Sequence, residues 1–337
     1  MLDKPQQTTF RPSASWSGLQ SLRPLAPVIV LVGLLALVPV LAEGLDQPFL
    51  IRVFTRMVVF AIAAVSLNIV LGVAGLVSLM HAALFGLGGY TVAILAEHGT
   101  TELLVLVPAA VLGSGLAAAV FGLIALRTAG AYFIMITLAF NQMFFYFFVA
   151  LERYGGEEGL QVFAPLDVAG MALGGRTTIF YLCLAVLLAV LVAGTRLADS
   201  RFGMVIRAAA GNDRRVSSVG IAPLSYRLAV FVIAGAVAGL AGALLVVSQT
   251  FISPAEMSWV RSGDLIVMVV LGGMATVWGP ALGAVVFLLL ELVLSALTIH
   301  WQLPFGIIII LLVLFLRDGL ANLIGALRSG DGGRGHD

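Results

Sequence analysis

Apolar runs of about 20 residues recur from Leu25 to Leu320, with only short polar breaks between them. A run of this length crosses a bilayer as one helix, and lipid offers the backbone polar groups no partner outside the helix. Only 10% of the 337 residues are charged, against roughly a quarter in soluble domains. These features exclude an ordinary soluble protein and leave no room for a soluble catalytic domain. The sequence therefore predicts an all-α, polytopic transmembrane helical bundle.

The hydropathy pattern predicts about ten spans, within a range of roughly eight to ten. The spans are Leu25–Ala42, Val53–Leu71, His81–Ala96, Leu103–Leu126, Ala131–Leu151, Ile179–Thr195, Leu228–Ser248, Asp264–Val277, Ala281–Thr298 and Pro304–Leu320. The third and eighth are short and glycine-rich, so we expect either to be re-entrant or broken. The first exceeds a signal-peptide core of about 7 to 15 residues and is expected to be an uncleaved span.

The predicted organisation is a tail at residues 1–24, a transmembrane domain at 25–325 and a second tail at 326–337. If the N-terminus is cytoplasmic, the inside segments collect 13 of the 18 basic residues, as the positive-inside rule requires. The segment Leu151–Thr178 has a net charge of −2 and falls outside. We therefore expect both tails to be cytoplasmic.

Glycines cluster within the predicted spans. Gly235 and Gly239 have the spacing that lets two membrane helices approach closely, so their expected role is tight packing. Leu71–Gly75 and Leu271–Ala275 are similar segments in the two halves of the chain, which indicates a possible internal repeat.

The longest polar stretch on the predicted inside is residues 197–226, here called the arginine loop. Its first part places Met204, Val205 and Ala208 on one helical face, which is typical of an amphipathic helix on a membrane surface. Asn212 or Asp213 is suited to cap a second short helix. That helix is expected to end at Gly220, with a stop signal at Pro223. Two interpretations remain, an anchor on anionic lipid or a docking element for a cytoplasmic partner.

Five blocks of the sequence are distinctive, and they occur in a fixed order. They are Ser66–Tyr90 (SLNIVLGVAGLVSLMHAALFGLGGY), Gly130–Phe140 (GAYFIMITLAF), Asp199–Ala208 (DSRFGMVIRA), Phe231–Leu245 (FVIAGAVAGLAGALL) and Met268–Gly283 (MVVLGGMATVWGPALG). In content and order they resemble the branched-chain amino-acid type ABC permeases, and most closely the LivM-like subunit of the permease pair.

This resemblance implies a non-enzymatic subunit of an importer in the bacterial inner membrane. The implied partners are a second, LivH-like permease subunit, two cytoplasmic ATPase subunits, a periplasmic substrate-binding protein and membrane lipid, with no nucleic acid. ATP and Mg belong to the ATPase subunits, and no cofactor is expected on this chain. The sequence itself contains no G-x-x-x-x-G-K-[ST] phosphate-binding loop, which agrees with an external motor.

The resemblance also implies a coupling helix for the ATPases in the arginine loop. The family pattern, similar to E-A-A-x-x-x-G, falls on Asp213–Gly220, with arginines where small residues are usual. The residues expected to couple to the ATPases are Arg207, Asn212, Asp213, Arg214 and Gly220.

Polar residues within apolar spans are candidates for a solute path, because they are costly in lipid. The full set is Asn68, Ser78, His81, Thr137, Asn141, Gln142 and Glu291. A path for a neutral or zwitterionic amino acid with an aliphatic side chain requires few charges and several amide or hydroxyl groups. The predicted path residues are Asn68, His81, Thr137, Asn141 and Gln142, and the alternative is hydrogen bonding between helices.

Three alternatives differ from this importer in function or in solute. Glu291 is the one acid deep in a predicted span, which would suit an ion-coupled secondary transporter. A membrane enzyme or metal site is disfavoured because the four histidines are spread from end to end. Urea or small organic and aromatic acids are further solutes that the resemblance allows.

Overall fold

The computed structural model describes residues 25–44, 47–162, 167–168, 171–172, 175–315 and 319–320. Within these ranges the chain forms thirteen α-helices. They are α1 (Leu25–Ala36), α2 (Val38–Gly44), α3 (Pro48–Asn68), α4 (His81–Glu97), α5 (Leu103–Ala125), α6 (Ala131–Val149), α7 (Gly175–Asp199), α8 (Arg201–Gly211), α9 (Asp213–Ser218), α10 (Pro223–Gln249), α11 (Trp259–Gly272), α12 (Gly279–Leu297) and α13 (Gln302–Phe315). The predicted tails lie outside the described residues.

Six helices among the described residues are long and apolar enough to cross a membrane. They are Phe49–Val73, Leu103–Ala125, Ala131–Val149, Gly175–Asp199, Pro223–Gln249 and Gly279–Leu297. These correspond to six of the predicted spans, the second, the fourth to the seventh and the ninth. The helical membrane bundle is thereby confirmed, and the remaining four predicted spans correspond to shorter helices.

Several predicted boundaries are displaced, such as Val53 for a helix that begins at Pro48, and two differences change how the spans are divided. The eighth span was placed at Asp264–Val277, but α11 begins at Trp259, where the Ser258 hydroxyl accepts a hydrogen bond from the amide of Arg261 at 3.3 Å. α11 ends at Gly272 and is followed by Gly273, whose φ of 104° is a conformation that favours glycine. The first span is divided into α1 and α2, because the helix is interrupted at Leu37.

The centre of the bundle is formed by α3 and α10, the most buried of the six long helices. Glycines allow α4, α5 and α10 to approach one another closely. A side chain at Gly239 would overlap Ser114 of α5, and one at Gly88 would overlap the Gly239 backbone. Gly235 likewise faces Ala118 of α5, which confirms the packing role predicted for the Gly235 and Gly239 pair.

Short strands join the connections at one end of the bundle, here called the hairpin end. Strand β1 (Leu160–Gln161) pairs antiparallel with β4 (Phe251–Ile252), and β2 (Asp167–Val168) pairs with β3 (Met171–Ala172). No strand was predicted, since two-residue pairings leave no periodic signal in the sequence.

The arginine loop lies at the other end, here called the loop end. Asn212 caps α9, because its side-chain oxygen accepts a hydrogen bond from the Arg215 amide at 3.1 Å, as predicted. Gly220 follows α9 with a φ of 83°. Pro223 opens α10 and is its first residue.

The bundle covers a different face of α8 from the one that was predicted to lie on a membrane surface. Met204 is 62% exposed. The buried face of α8 consists of three other residues at helical spacing: Gly203, Ile206 and Ala209. This face packs against α7, α10 and the end of α3, so contact with the bundle decides which side is covered.

Candidate functional site

The helix that begins as α3 is interrupted in the interior of the bundle. After Asn68 the backbone makes a π-helical turn, Ile69–Val73, and residues 74–80 have no regular helix until α4 begins at His81. Gly75 has a φ of 66°, which permits the change of direction. We call residues 69–80 the α3–α4 break. Backbone groups freed in such a break require partners, since lipid supplies none.

Side chains of α6 and α11 supply those partners. The Thr137 hydroxyl accepts from the Leu79 amide at 3.2 Å. The Ser262 hydroxyl donates to the Leu79 carbonyl at 2.6 Å and accepts from the Ala82 amide at 3.1 Å. The break is therefore held on both sides by hydroxyl groups from helices that are distant in sequence.

Asn141 performs the same task for the first turn of α4. Its side-chain oxygen accepts from the Ala83 amide at 3.0 Å, and its side-chain nitrogen donates to the Met257 carbonyl at 2.8 Å. Asn141 is completely buried. One amide side chain thus joins α4 to the loop between α10 and α11.

His81 joins α4 to the centre of the bundle. Its Nε2 lies 2.8 Å from the Ser66 hydroxyl, and that hydroxyl donates to the Ala234 carbonyl at 2.6 Å. Because the one hydroxyl proton of Ser66 is used on Ala234, Nε2 must be the donor to Ser66. The imidazole then presents Nδ1 as an acceptor, and this atom is buried without a hydrogen-bond partner among the described residues.

A second interruption, between α11 and α12, meets the first. The Asn68 side-chain nitrogen donates to the Thr276 carbonyl at 3.0 Å. A side chain at Gly72 would lie 2.6 Å from the Met274 carbonyl oxygen. The two similar glycine segments of the sequence, Leu71–Gly75 and Leu271–Ala275, are therefore in contact.

Four of the five predicted path residues surround the α3–α4 break. Asn68, His81, Thr137 and Asn141 are each 2% exposed or less, and three of the four bond directly to backbone of the two breaks or of α4. Gln142 is not among them. It is partly exposed on α6, and its Oε1 has no hydrogen-bond partner in the described part of the chain.

Sequence reasoning missed Ser66 and Ser262, each of which takes part in two of these hydrogen bonds, as Asn141 does. Serine is common in membrane helices, so its presence in an apolar run is a weak signal. Asn68 also borders a small cavity of about 10 Å³ beside α7 and α8. That volume is far too small for an amino acid.

A larger cavity opens at the hairpin end between α3, α7, α10 and α12. Its volume is about 740 Å³. The charged residues that line it are Arg52, Arg56, Arg176 and Glu291. We call it the hairpin-end cavity. Glu291, which the sequence placed deep in a span, is therefore partly exposed beside three arginines.

The arginine loop contacts the α3–α4 break from the loop end. A side chain at Gly75 would lie 3.4 Å from the Ala210 methyl group of α8. The Arg207 guanidinium donates to the Ala198 carbonyl at 2.6 Å, which ties α8 to the end of α7. Movement of α8 would therefore act directly on the break.

The predicted coupling residues differ in their surroundings. Asp213 forms a 2.8 Å ion pair with Arg227 of α10, a contact that the sequence did not indicate. Arg214 is exposed, as are Asn212 and Gly220. The exposed surface of α9 is thus available at the loop end.

Comparison with known proteins matches most of the chain to one family. The model for the permease component of branched-chain amino acid transport systems matches residues 49–316. Two curated relatives are the high-affinity branched-chain amino acid transport system permease proteins LivM of Salmonella typhimurium and Escherichia coli. Each is 26% identical over 315 residues, which covers 85% of this chain and 74% of the relative. No solved structure matches this chain.

Proposed function

This chain belongs to the family of branched-chain amino acid transport permeases, and we propose that it is the permease subunit of an ATP-driven importer for amino acids with hydrophobic or branched side chains. The observation that carries the proposal is the contact of α8 with the α3–α4 break. A helix at the loop end touches an interrupted helix inside the membrane. An external motor that moves α8 would thereby move the interior.

The proposal assigns partners by family likeness. A second, LivH-like permease subunit completes the path, two ATPase subunits bind ATP and Mg at the loop end, and a periplasmic binding protein delivers the solute at the hairpin end. The loop end is then cytoplasmic and the membrane is the bacterial inner membrane. Ten crossings, with α4 and α11 as the shortened ones, and an internal repeat complete this topology.

The mechanism we infer is a change in the α3–α4 break driven from α8. ATPase closure displaces α8 and α9, and the Ala210 contact transmits the displacement to Gly75. Thr137 and Ser262 give hydrogen-bond partners to the backbone of Leu79, and Asn141 does so for the first turn of α4, where lipid would supply none. Rearrangement of those bonds would exchange outward for inward access.

Reconstitution tests the function directly. Liposomes that contain this chain, the second permease subunit and both ATPases, loaded with ATP and Mg, are expected to accumulate radiolabelled L-leucine when the binding protein is added outside. Initial uptake rates are the measurement, and vesicles loaded with a non-hydrolysable ATP analogue are the control. Leucine uptake driven by a proton or sodium gradient without ATPases would contradict the proposal and favour the ion-coupled alternative.

The position of the coupling surface is tested by Arg207→Gln and Gly220→Ala. The first removes the contact that holds α8 to α7, and the second introduces a side chain where φ is 83°. Each change is expected to lower the amount of ATPase that co-purifies with the chain by about tenfold, with membrane insertion unchanged. Arg153→Gln, at the hairpin end, is the matched control. ATPase recovery at the wild-type level in both variants would contradict this placement.

A further inference from the structure

The hairpin-end cavity collects basic residues that the overall charge pattern leaves unexplained. Five basic residues fall on the side opposite to the arginine-rich segments: Arg52, Arg56, Arg153, Arg176 and Arg261. Three of these five, Arg52, Arg56 and Arg176, line one cavity. Arginine is disfavoured on that side of a membrane protein. The three arginines in one cavity therefore indicate a role other than setting the orientation in the membrane.

These arginines retain unused hydrogen-bond donors. Arg261, near the same end, is paired with Glu256 at 3.0 Å and with Asp264 at 3.3 Å. By contrast, Arg52 and Arg176 form no ion pair with any described residue. Arg56 stacks over the Phe60 ring at 5.5 Å, which fixes its side chain without using an anion. A cavity with unpaired guanidinium groups is suited to a carboxylate or phosphate oxyanion.

Glu291 gives the same cavity a negative group. Its Oε2 is buried and has no hydrogen-bond partner among the described residues. It also forms no ion pair with the described arginines, so Glu291 does not neutralise their charge. An ammonium group in the cavity would give this oxygen the donor that it lacks.

The remaining wall of the cavity is largely apolar. Val53, Met57, Ile179, Leu288 and Leu292 line it. Its volume of about 740 Å³ lies within the usual range of small-molecule sites, about 300 to 1,000 Å³. Guanidinium groups, one carboxylate and apolar side chains together complement the carboxylate, the ammonium group and the side chain of an aliphatic amino acid.

We propose that the hairpin-end cavity is a reception site for an amino-acid zwitterion, whose carboxylate binds Arg52 and Arg176 while its ammonium group binds Glu291. The aliphatic side chain of the solute contacts the apolar wall. This inference rests on the proposed function for the direction of transport, and it adds a solute site within the permease itself. The site lies apart from the predicted path residues around the α3–α4 break, which do not line this cavity.

The test is equilibrium binding to the full-length chain in phosphatidylcholine nanodiscs. The probes are L-leucine, 4-methylpentanoate, which lacks the ammonium group, and leucinamide, which lacks the carboxylate. Arg176→Gln is expected to weaken the binding of L-leucine and of 4-methylpentanoate by about tenfold each, and to change the binding of leucinamide little. Glu291→Gln is expected to weaken L-leucine and leucinamide by a similar factor, with 4-methylpentanoate unchanged or tighter.

Each variant is expected to lose affinity for two probes and to keep its affinity for the third, and the third probe differs between the variants. A variant that fails to fold would lose all three, so this crossed pattern distinguishes loss of the site from loss of folding. Arg153→Gln is the matched control, since Arg153 is a basic residue at the same end that stacks on Tyr154 outside the cavity. Equal affinities for all three probes in both variants would overturn the proposal. So would the absence of L-leucine binding together with loss of co-purified phospholipid from Arg176→Gln, which would assign the cavity to a lipid headgroup.

Uptake assays separate this inference from the proposed function. ATP-dependent uptake that is unchanged by Arg176→Gln would refute the reception site and leave the importer standing. The crossed binding pattern, with uptake that needs no ATPase, would refute the importer and leave the site standing.

Discussion

Gly242→Ala is expected to destabilise the folded chain by about 3 kcal/mol, because the added methyl group overpacks the centre of the bundle. A methyl group at Gly242 would overlap the Phe85 carbonyl oxygen of α4 and approach the Gly89 amide at 3.0 Å. These are backbone atoms of a buried helix and cannot move aside as a flexible side chain can. α4 and α10 must therefore separate, and the contacts on both sides of the centre are lost.

Thermal unfolding of the purified chain in one detergent measures this effect. The control is Gly113→Ala on α5, where the nearest atom to an added methyl group is the Thr91 hydroxyl at 3.7 Å. Alanine is favoured over glycine in a helix by about 1 kcal/mol, so this control is expected to unfold at the wild-type temperature or above it. A Gly242→Ala protein as stable as Gly113→Ala would contradict the close α4–α10 contact.

Asn141→Leu is expected to cost about 4 kcal/mol, because it leaves two backbone groups without partners in the interior. The Ala83 amide and the Met257 carbonyl both bond to the Asn141 side chain, and each orphaned group costs about 1 to 3 kcal/mol. The measurement is the free energy of unfolding, taken beside leucine uptake by the reconstituted complex.

Gln142→Leu, on the adjacent position of α6, is the control. Its Oε1 has no hydrogen-bond partner among the described residues, so a change below about 1 kcal/mol is expected. If Asn141→Leu abolished leucine uptake while the stability stayed at the wild-type value, Asn141 would be a path residue and its bracing role would be wrong.

The long apolar helices were predictable because hydropathy over about 20 residues is a strong signal. The breaks were harder to place. Glycines and a short apolar run pointed to an interruption near α11, but the interruption follows Gly272 where a span was expected to continue to Val277. Hydropathy does not distinguish apolar residues in a helix from apolar residues in a connection that is buried by protein.

The candidate site was predictable in part. The cost of polar groups in lipid identified Asn68, His81, Thr137 and Asn141, and the structure groups them around the α3–α4 break. What these side chains contact depends on residues up to 208 positions apart, as in the Asn68–Thr276 bond. Local sequence does not indicate such pairings. The sequence alone therefore could not decide whether these side chains hydrogen-bond between helices or line a solute path.

The arginines of the hairpin-end cavity were visible only as charges on the less favoured side of the membrane. Arg52 and Arg176 are separated by more than a hundred residues, so their shared cavity is a product of how α3 packs against α7. The face of α8 that packs on the bundle could not be predicted for a related reason. Neighbouring helices, and not the amphipathic pattern of α8 alone, determine which residues are covered.

One helix joins the two regions to which solute and motor are assigned. α3 carries Arg52 near its first residues and Asn68 at its last, 21 residues in all and therefore about 30 Å long. A stiff rod of that length acts as a lever, since a tilt of about 5° about one tip displaces the other by about 3 Å. Solute binding at one face of the membrane and the nucleotide state at the other would then both change the tilt of α3. No loop between the two faces is needed to connect them.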